Sequence, residues 1–265
     1  TRSGVWFVSQ VVSIVPTFAA FYILLKKKLL VKHYFWAAFF IATNLIDRFS
    51  LVFLGILVLF RLFDDWKFRA ENSTLLKKKI TASVIPFLFF LLVFSRYNLS
   101  LFGKPCDTGY LYHNNELDPA KYFPFGLMSW QYVPRNLWLI FLEIPRLTLV
   151  KMRPILSFNM EGISIFAVSP VYLAGLLTFG KNLFQFSEFK NRLIIYLWIT
   201  LIFLLFPLLL LFSPGLVQFG IRYSLDFSMI LIVLAIFGLE GKGNSLVVLA
   251  TIVAVIANIY SVLVL

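Results

Sequence analysis

Charge is what this chain has least of. Only 14% of its 265 residues are Asp, Glu, Lys or Arg, against about 25% in an average soluble domain. A chain this poor in charge is neither disordered nor an ordinary soluble domain. Cys106 is the single cysteine, which excludes an internal disulfide framework and the paired-cysteine zinc patterns. There are two histidines, His33 and His113, far apart in sequence. No His-Glu-x-x-His, no phosphate-binding glycine loop and no Ser/His/Asp set can be built from them. No charged n-region or small-residue cleavage site opens the chain, so a signal peptide is not expected.

What is present is apolar. Hydrophobic residues make up 60% and aromatics 18%, Phe alone contributing 31 residues, and the mean hydropathy is +0.89. This composition predicts an all-α, polytopic transmembrane helical bundle. The net charge is +12, from 24 Lys+Arg against 12 Asp+Glu. No basic stripe lies on a soluble element, so nucleic acid is not an expected partner. The excess suits basic loops facing the anionic lipids of a cytoplasmic leaflet, with membrane lipids as partners.

A crossing needs about 20 apolar residues. Gly4–Leu25 is the first candidate, followed by Lys26-Lys27-Lys28, Lys32 and His33. Tyr34–Phe63 would reach about 45 Å as one helix, too long for one upright crossing, and it carries Asn44, Asp47 and Arg48 at its middle. A second basic segment, Asp64–Lys79, follows. If both basic segments share one side, Tyr34–Phe63 is a helical hairpin bent near Asn44–Arg48; a single tilted helix is the alternative. Further spans are expected at Ile80–Phe94, Ile163–Phe179, Leu193–Phe212, Tyr223–Leu239 and Ser245–Leu265, about seven to eight membrane segments in a single transmembrane domain, 1–265. The loops Gly180–Arg192 and Glu240–Asn244 are basic, and Ser213–Arg222 holds one Arg; this pattern places the first two inside and the third outside. Residues 96–162 form one long outer loop, with an interfacial helix expected at Asn136–Val150. The chain opens and closes inside apolar runs, so it is read as a piece of a longer protein.

Four clusters could carry chemistry. Asp47-Arg48 either lines a cavity or is a self-compensating pair at a bend. Arg96-Tyr97-Asn98, with Tyr110, His113 and neighbouring Asn residues, suits sugar stacking and hydroxyl recognition; alternatively it is an aromatic belt with turn residues. Arg222 and Asp226 stand at i and i+4 at the start of a late span. There Arg222 either binds a phosphate or closes a helix end. The acids Asp107, Glu116, Asp118, Glu143 and Glu161 could each serve as a base or metal ligand, but their spacing matches no metal loop, which favours reading them as solvated loop acids.

Tyr97-Asn98, Phe102-Gly103 and Gly109-Tyr110 together resemble the outer-loop pattern of GT-C type multispanning membrane glycosyltransferases, related to the polyprenyl- and dolichyl-phosphate-mannose protein mannosyltransferases. Gln218-Phe219-Gly220-Ile221-Arg222-Tyr223-Ser224-Leu225-Asp226 is similar to the G-x-R-Y start of a late span in them. Ile41–Leu51 is similar to their hairpin, without its glycines. The resemblance implies sugar transfer from a polyprenyl-phosphate donor to an acceptor on the outer face of a bacterial inner or plasma membrane. Arg222, with Arg48 and Arg96 behind it, would bind the donor phosphate. Tyr97, Asn98, Tyr110, His113, Tyr223 and Asp226 would shape the sugar or acceptor site. The family's base is a carboxylate in its first outer loop, often beside a divalent metal. No Asp-x-Asp or Asp-Glu pair stands in an outer loop here, so base and metal are expected upstream, and no catalytic or metal-binding residue is assigned. Two other readings stay open: half of a lipid-linked glycan transporter or flippase, and a structural membrane subunit without a site.

Overall fold

The computed structural model describes residues 3–106, 124–150, 153–157, 159, 161–180, 186–213 and 221–240, and residues 245, 248–249, 251–252, 254–256 and 259. Two compact units divide the chain, 1–122 and 123–265.

The described residues of the first unit form four α-helices: α1 (Ser3–Leu24), α2 (Val31–Asp47), α3 (Gly55–Lys67) and α4 (Ser73–Phe102). α1 buries Ser13, Thr17, Ala20, Phe21 and Leu24, one stripe at helical spacing. α2 buries Tyr34, Ala37, Ala38, Ile41, Ala42 and Leu45. Its small alanines let neighbouring helices approach closely. Asn44, ill suited to lipid, turns inward and donates from Nδ2 to Thr17 Oγ1 at 3.2 Å, tying α2 to α1. α2 stops at Asp47 because Arg48 leaves helical geometry (φ −140°, ψ 87°). A 3-10 turn, Phe49–Leu54, leads into α3. The chain then returns: Tyr34 Oη, near the start of α2, donates to Asp65 Oδ2, near the end of α3, at 2.8 Å. Tyr34–Phe63 is therefore a hairpin, and a single long helix is excluded by that closure.

α4 starts at Asn72, whose side chain accepts from the Thr74 amide at 3.0 Å, an N-cap. It runs through Pro86 and ends at Gly103, in the left-handed region at φ 70°. The sequence places Arg96 at the start of a loop; the helix instead continues to Phe102. No breaker lies between Phe94 and Gly103 to stop it. Phe39 meets Phe90 edge-on at 5.3 Å, and Lys79 Nζ lies 5.4 Å from the Tyr34 ring centre. α2 and α4 are thus parallel neighbours. All of Lys26–Lys28, Lys32 and Lys77–Lys79 lie toward one end of the unit, with Arg48 and Arg96–Asn98 toward the other.

His33 sits in the first turn of α2, where its Nδ1 accepts the Leu30 amide at 3.1 Å. Desolvation, then Lys26 and Lys32, hold its pKa below 6.5. The neutral ring is the one that caps, so this contribution is complete above pH 6.5. It is lost as the pH falls from 6.5 through the lowered folded value. An NMR titration should place the His33 midpoint below 6.5, with exchange of the Leu30 amide rising as the ring protonates. A midpoint at or above 6.5 would contradict the cap.

In the second unit, α5 (Val133–Leu137) continues as a π turn, Trp138–Leu142. The predicted helix Asn136–Val150 ends there: Glu143 is extended (ψ 121°), and Ile144 precedes Pro145, which disfavours helix. Beyond it, β1 (Arg146–Val150) pairs antiparallel with β2 (Arg153–Ser157), Arg146 opposite Ser157. The fold is helical, as the composition predicts, with this two-stranded hairpin added. The predicted span Ile163–Phe179 is also different. It forms a short α6 (Ile165–Val168) and a 3-10 run, Pro170–Thr178, because Pro170 removes the amide a continuing helix needs. α7 (Phe189–Leu210) and α8 (Leu225–Leu239) follow. Glycines set the contact between α8 and the 3-10 run: a Cβ on Gly238 would stand 1.9 Å from the Ala174 carbonyl oxygen.

Among the described residues, α4 and α7 are long and apolar enough to cross a membrane; Val12–Leu24 and Leu225–Leu239 are shorter apolar helices.

Candidate functional site

The predicted residues are placed as follows. Arg48 caps the end of α2, half-buried at the hairpin bend, beside an exposed Asp47. Arg96 and Tyr97 are exposed near the C-terminal end of α4, whereas Asn98, one residue on, is only 3% exposed. The Asn98 Nδ2 has no hydrogen-bond partner, and a buried amide without one carries a desolvation cost of about 1–3 kcal/mol. Tyr110, His113, Asp107, Glu116 and Asp118 lie outside the described residues. Arg222 opens a 3-10 turn, Arg222–Ser224, that runs directly into α8; its side chain and the preceding Gln218-Phe219-Gly220 also lie outside them. Tyr223 is half-buried, and Asp226 is buried in the first turn of α8. A carboxylate is favoured there by the helix dipole.

The two remaining acids have structural partners. Glu143 Oε2 accepts from Trp138 Nε1 at 2.7 Å. Glu161 pairs with Arg135 and accepts from Ser213 Oγ at 3.4 Å. Nearby, the buried Asn136 donates from Nδ2 to the Leu209 and Leu211 carbonyls at 3.0 and 2.6 Å. With the Ser129 amide donating to the Leu210 carbonyl at 2.8 Å, this side chain helps satisfy carbonyls at the C-terminal end of α7 that the helix leaves without an intrahelical donor.

The densest chemistry was not singled out by sequence spacing. At the lysine-rich end of the first unit, Arg61, Asp64 and Asp65 are fully buried and Lys79 is 1% exposed. Lys79 Nζ bridges Asp65 Oδ2 and Glu71 Oε2, each at 2.6 Å. Arg69 Nη1 lies 2.9 Å from Asp65 Oδ1. Arg61 Nη1 lies 3.4 Å from Asp64, and its Nη2 donates to the Lys26 and Lys27 carbonyls at 2.7 and 3.1 Å. Three cations (Arg61, Arg69, Lys79) face three carboxylates (Asp64, Asp65, Glu71), so the buried set is neutral. Its role is to close the ends of α1 and α3 on α4. The only sequence signals are the i, i+3 spacing of Arg61 to Asp64 and the i, i+4 spacing of Asp65 to Arg69. Lys79 reads as one of three solvated lysines until the fold turns it inward.

Among the described residues, no group of three or more His, Cys, Asp or Glu could hold a metal ion. Comparison with protein-family models, with curated proteins and with solved structures finds no match to this chain. What the fold itself defines is a predominantly helical chain that has, among the described residues, two helices of membrane-crossing length and apolarity.

Proposed function

We propose that this chain is part of a multi-pass membrane glycosyltransferase of about seven to eight membrane segments. It transfers a sugar from a polyprenyl-phosphate donor to an acceptor on the outer face of a bacterial plasma membrane. The observation that carries the reading is the start of α8. A polar turn holding Arg222 and Tyr223 runs into an apolar helix with a buried carboxylate, Asp226, in its first turn. That order of residues is the one the resemblance turns on. Arg222 supplies a permanent cation for the phosphate that departs with the lipid, and a guanidinium can grip two phosphate oxygens at once. Stabilising the leaving charge is the step at which such a cation accelerates transfer. Support of a second kind comes from α4: Tyr97 and Asn98 lie toward the end of the first unit opposite its lysines, and the Asn98 amide is buried with an unused donor. An amide in that condition suits a ligand hydroxyl.

The test uses the full-length protein in native membranes with a labelled polyprenyl-phosphate sugar. Arg222→Ala should lower transfer about 100-fold while insertion and protein level stay unchanged. Normal turnover by the variant would sink the role of Arg222 and leave the structural-subunit reading ahead.

A further inference from the structure

The buried network leaves an imbalance on the surface it serves. All three carboxylates at the lysine-rich end, Asp64, Asp65 and Glu71, are engaged inside it. Lys77 and Lys78, the immediate neighbours of Lys79, face outward and are exposed, as is Lys32 in the first turn of α2. No ion pair to Lys32, Lys77 or Lys78 exists among the described residues. These three lysines line a groove of about 800 Å³ between the first turns of α2 and α4. Its walls are apolar, with Phe35, Ala82 and Ile85 among them.

We propose that this groove binds an anionic glycerophospholipid. The phosphate sits among Lys32, Lys77 and Lys78, and the acyl chains run along Phe35 and Ile85 onto the open face of α4. Three uncompensated cations in one place select an anion. The apolar walls select a ligand with hydrocarbon directly behind its charge, which a free phosphate lacks. The groove is also continuous with Val84, Leu88 and Leu92, exposed apolar residues of a helix long enough to cross a membrane. Its volume is within the range of ordinary small-molecule sites, room for a headgroup and the first part of its chains. The inference shares the membrane placement of the function proposed above but not its sugar chemistry.

The full-length protein is placed in nanodiscs of phosphatidylcholine with a minor fraction of phosphatidylglycerol. Lipid retained on gentle extraction is then counted by native mass spectrometry. The wild type should retain phosphatidylglycerol in preference to phosphatidylcholine. Lys77→Gln and Lys78→Gln should each reduce that preference about five-fold, and Ala82→Trp, which fills the groove and keeps every lysine, should reduce it too. Lys67→Gln, an exposed cation at the same end but outside the groove, should leave it unchanged. An equal loss at Lys67 would mean diffuse surface attraction and overturn the site. An undiminished preference in Ala82→Trp would overturn the acyl-chain part, and displacement by excess inorganic phosphate would reassign the groove to a free anion. Protein that enters nanodiscs but shows no preference overturns this inference alone. Protein that fails to enter them overturns the membrane placement on which both proposals stand.

Discussion

Asp65→Ala should destabilise the first unit by about 3–5 kcal/mol, the cost of removing one partner from a buried ion pair. Asp65 is the group to remove because it accepts from Tyr34 Oη at 2.8 Å and Lys79 Nζ at 2.6 Å, and the Arg69 guanidinium pairs with its charge at 2.9 Å. Without it the set holds three cations against two carboxylates, with Arg61, Asp64 and Lys79 buried and only Arg69 and Glu71 partly open to solvent. Lys79 keeps Glu71, so it is not stranded, but the Tyr34 hydroxyl loses its acceptor. The sharper result concerns the pair. Asp65→Ala combined with Lys79→Met leaves Arg61 and Arg69 against Asp64 and Glu71, neutral again. The double variant should therefore lose less than the sum of the single losses, by about 1–3 kcal/mol. Denaturant unfolding of the detergent-solubilised full-length protein, followed by circular dichroism, reads both quantities. A single-variant loss below about 1 kcal/mol, or strict additivity, would show that the charges are solvated and that helix packing alone holds this end.

Gly238→Ala should cost about 3 kcal/mol, at the upper end for overpacking. Two effects oppose each other. Alanine is worth up to about 1 kcal/mol over glycine in a helix, and less in the last turn where Gly238 lies, which favours the substitution. Against it, the new Cβ would lie 1.9 Å from the Ala174 carbonyl oxygen and 3.0 Å from its carbon. That obstacle is backbone, so no rotamer change relieves it, and α8 must move away from the 3-10 run as a whole. Gly175→Ala is the internal contrast. Its Cβ would meet Leu234 Cβ at 3.2 Å, a gap closed by a shift of a few tenths of an ångström, and its cost should be about 1 kcal/mol. The same unfolding measurement ranks the two. Equal effects, or a more stable Gly238→Ala protein, would refute the close contact.

The hairpin shows how far a hydropathy pattern reaches. Tyr34–Phe63 is too long for one upright crossing and is flanked by two lysine-rich segments. Length and charge therefore favour a return near Asn44–Arg48 over a single tilted helix, and the chain turns at Arg48. Helix stops were less legible. Polar residues at 96–98 suggest a loop, yet side-chain polarity does not end a helix; α4 runs on past them and stops at Gly103, in the left-handed region. Proline gave the opposite error. Pro145 and Pro170 lie inside apolar runs that hydropathy scores as helix, and there the backbone rule overrides composition.

The apolar, predominantly helical character, the clustering of lysines and the bend of the hairpin were determined by the sequence itself, because each follows from composition and from distances along the chain. Which lysine is buried was decided only by the tertiary structure. Lys77, Lys78 and Lys79 are chemically identical and adjacent, but successive helical positions differ by about 100° in direction. With α4 docked on α2, one of the three faces Asp65 and the other two face a groove.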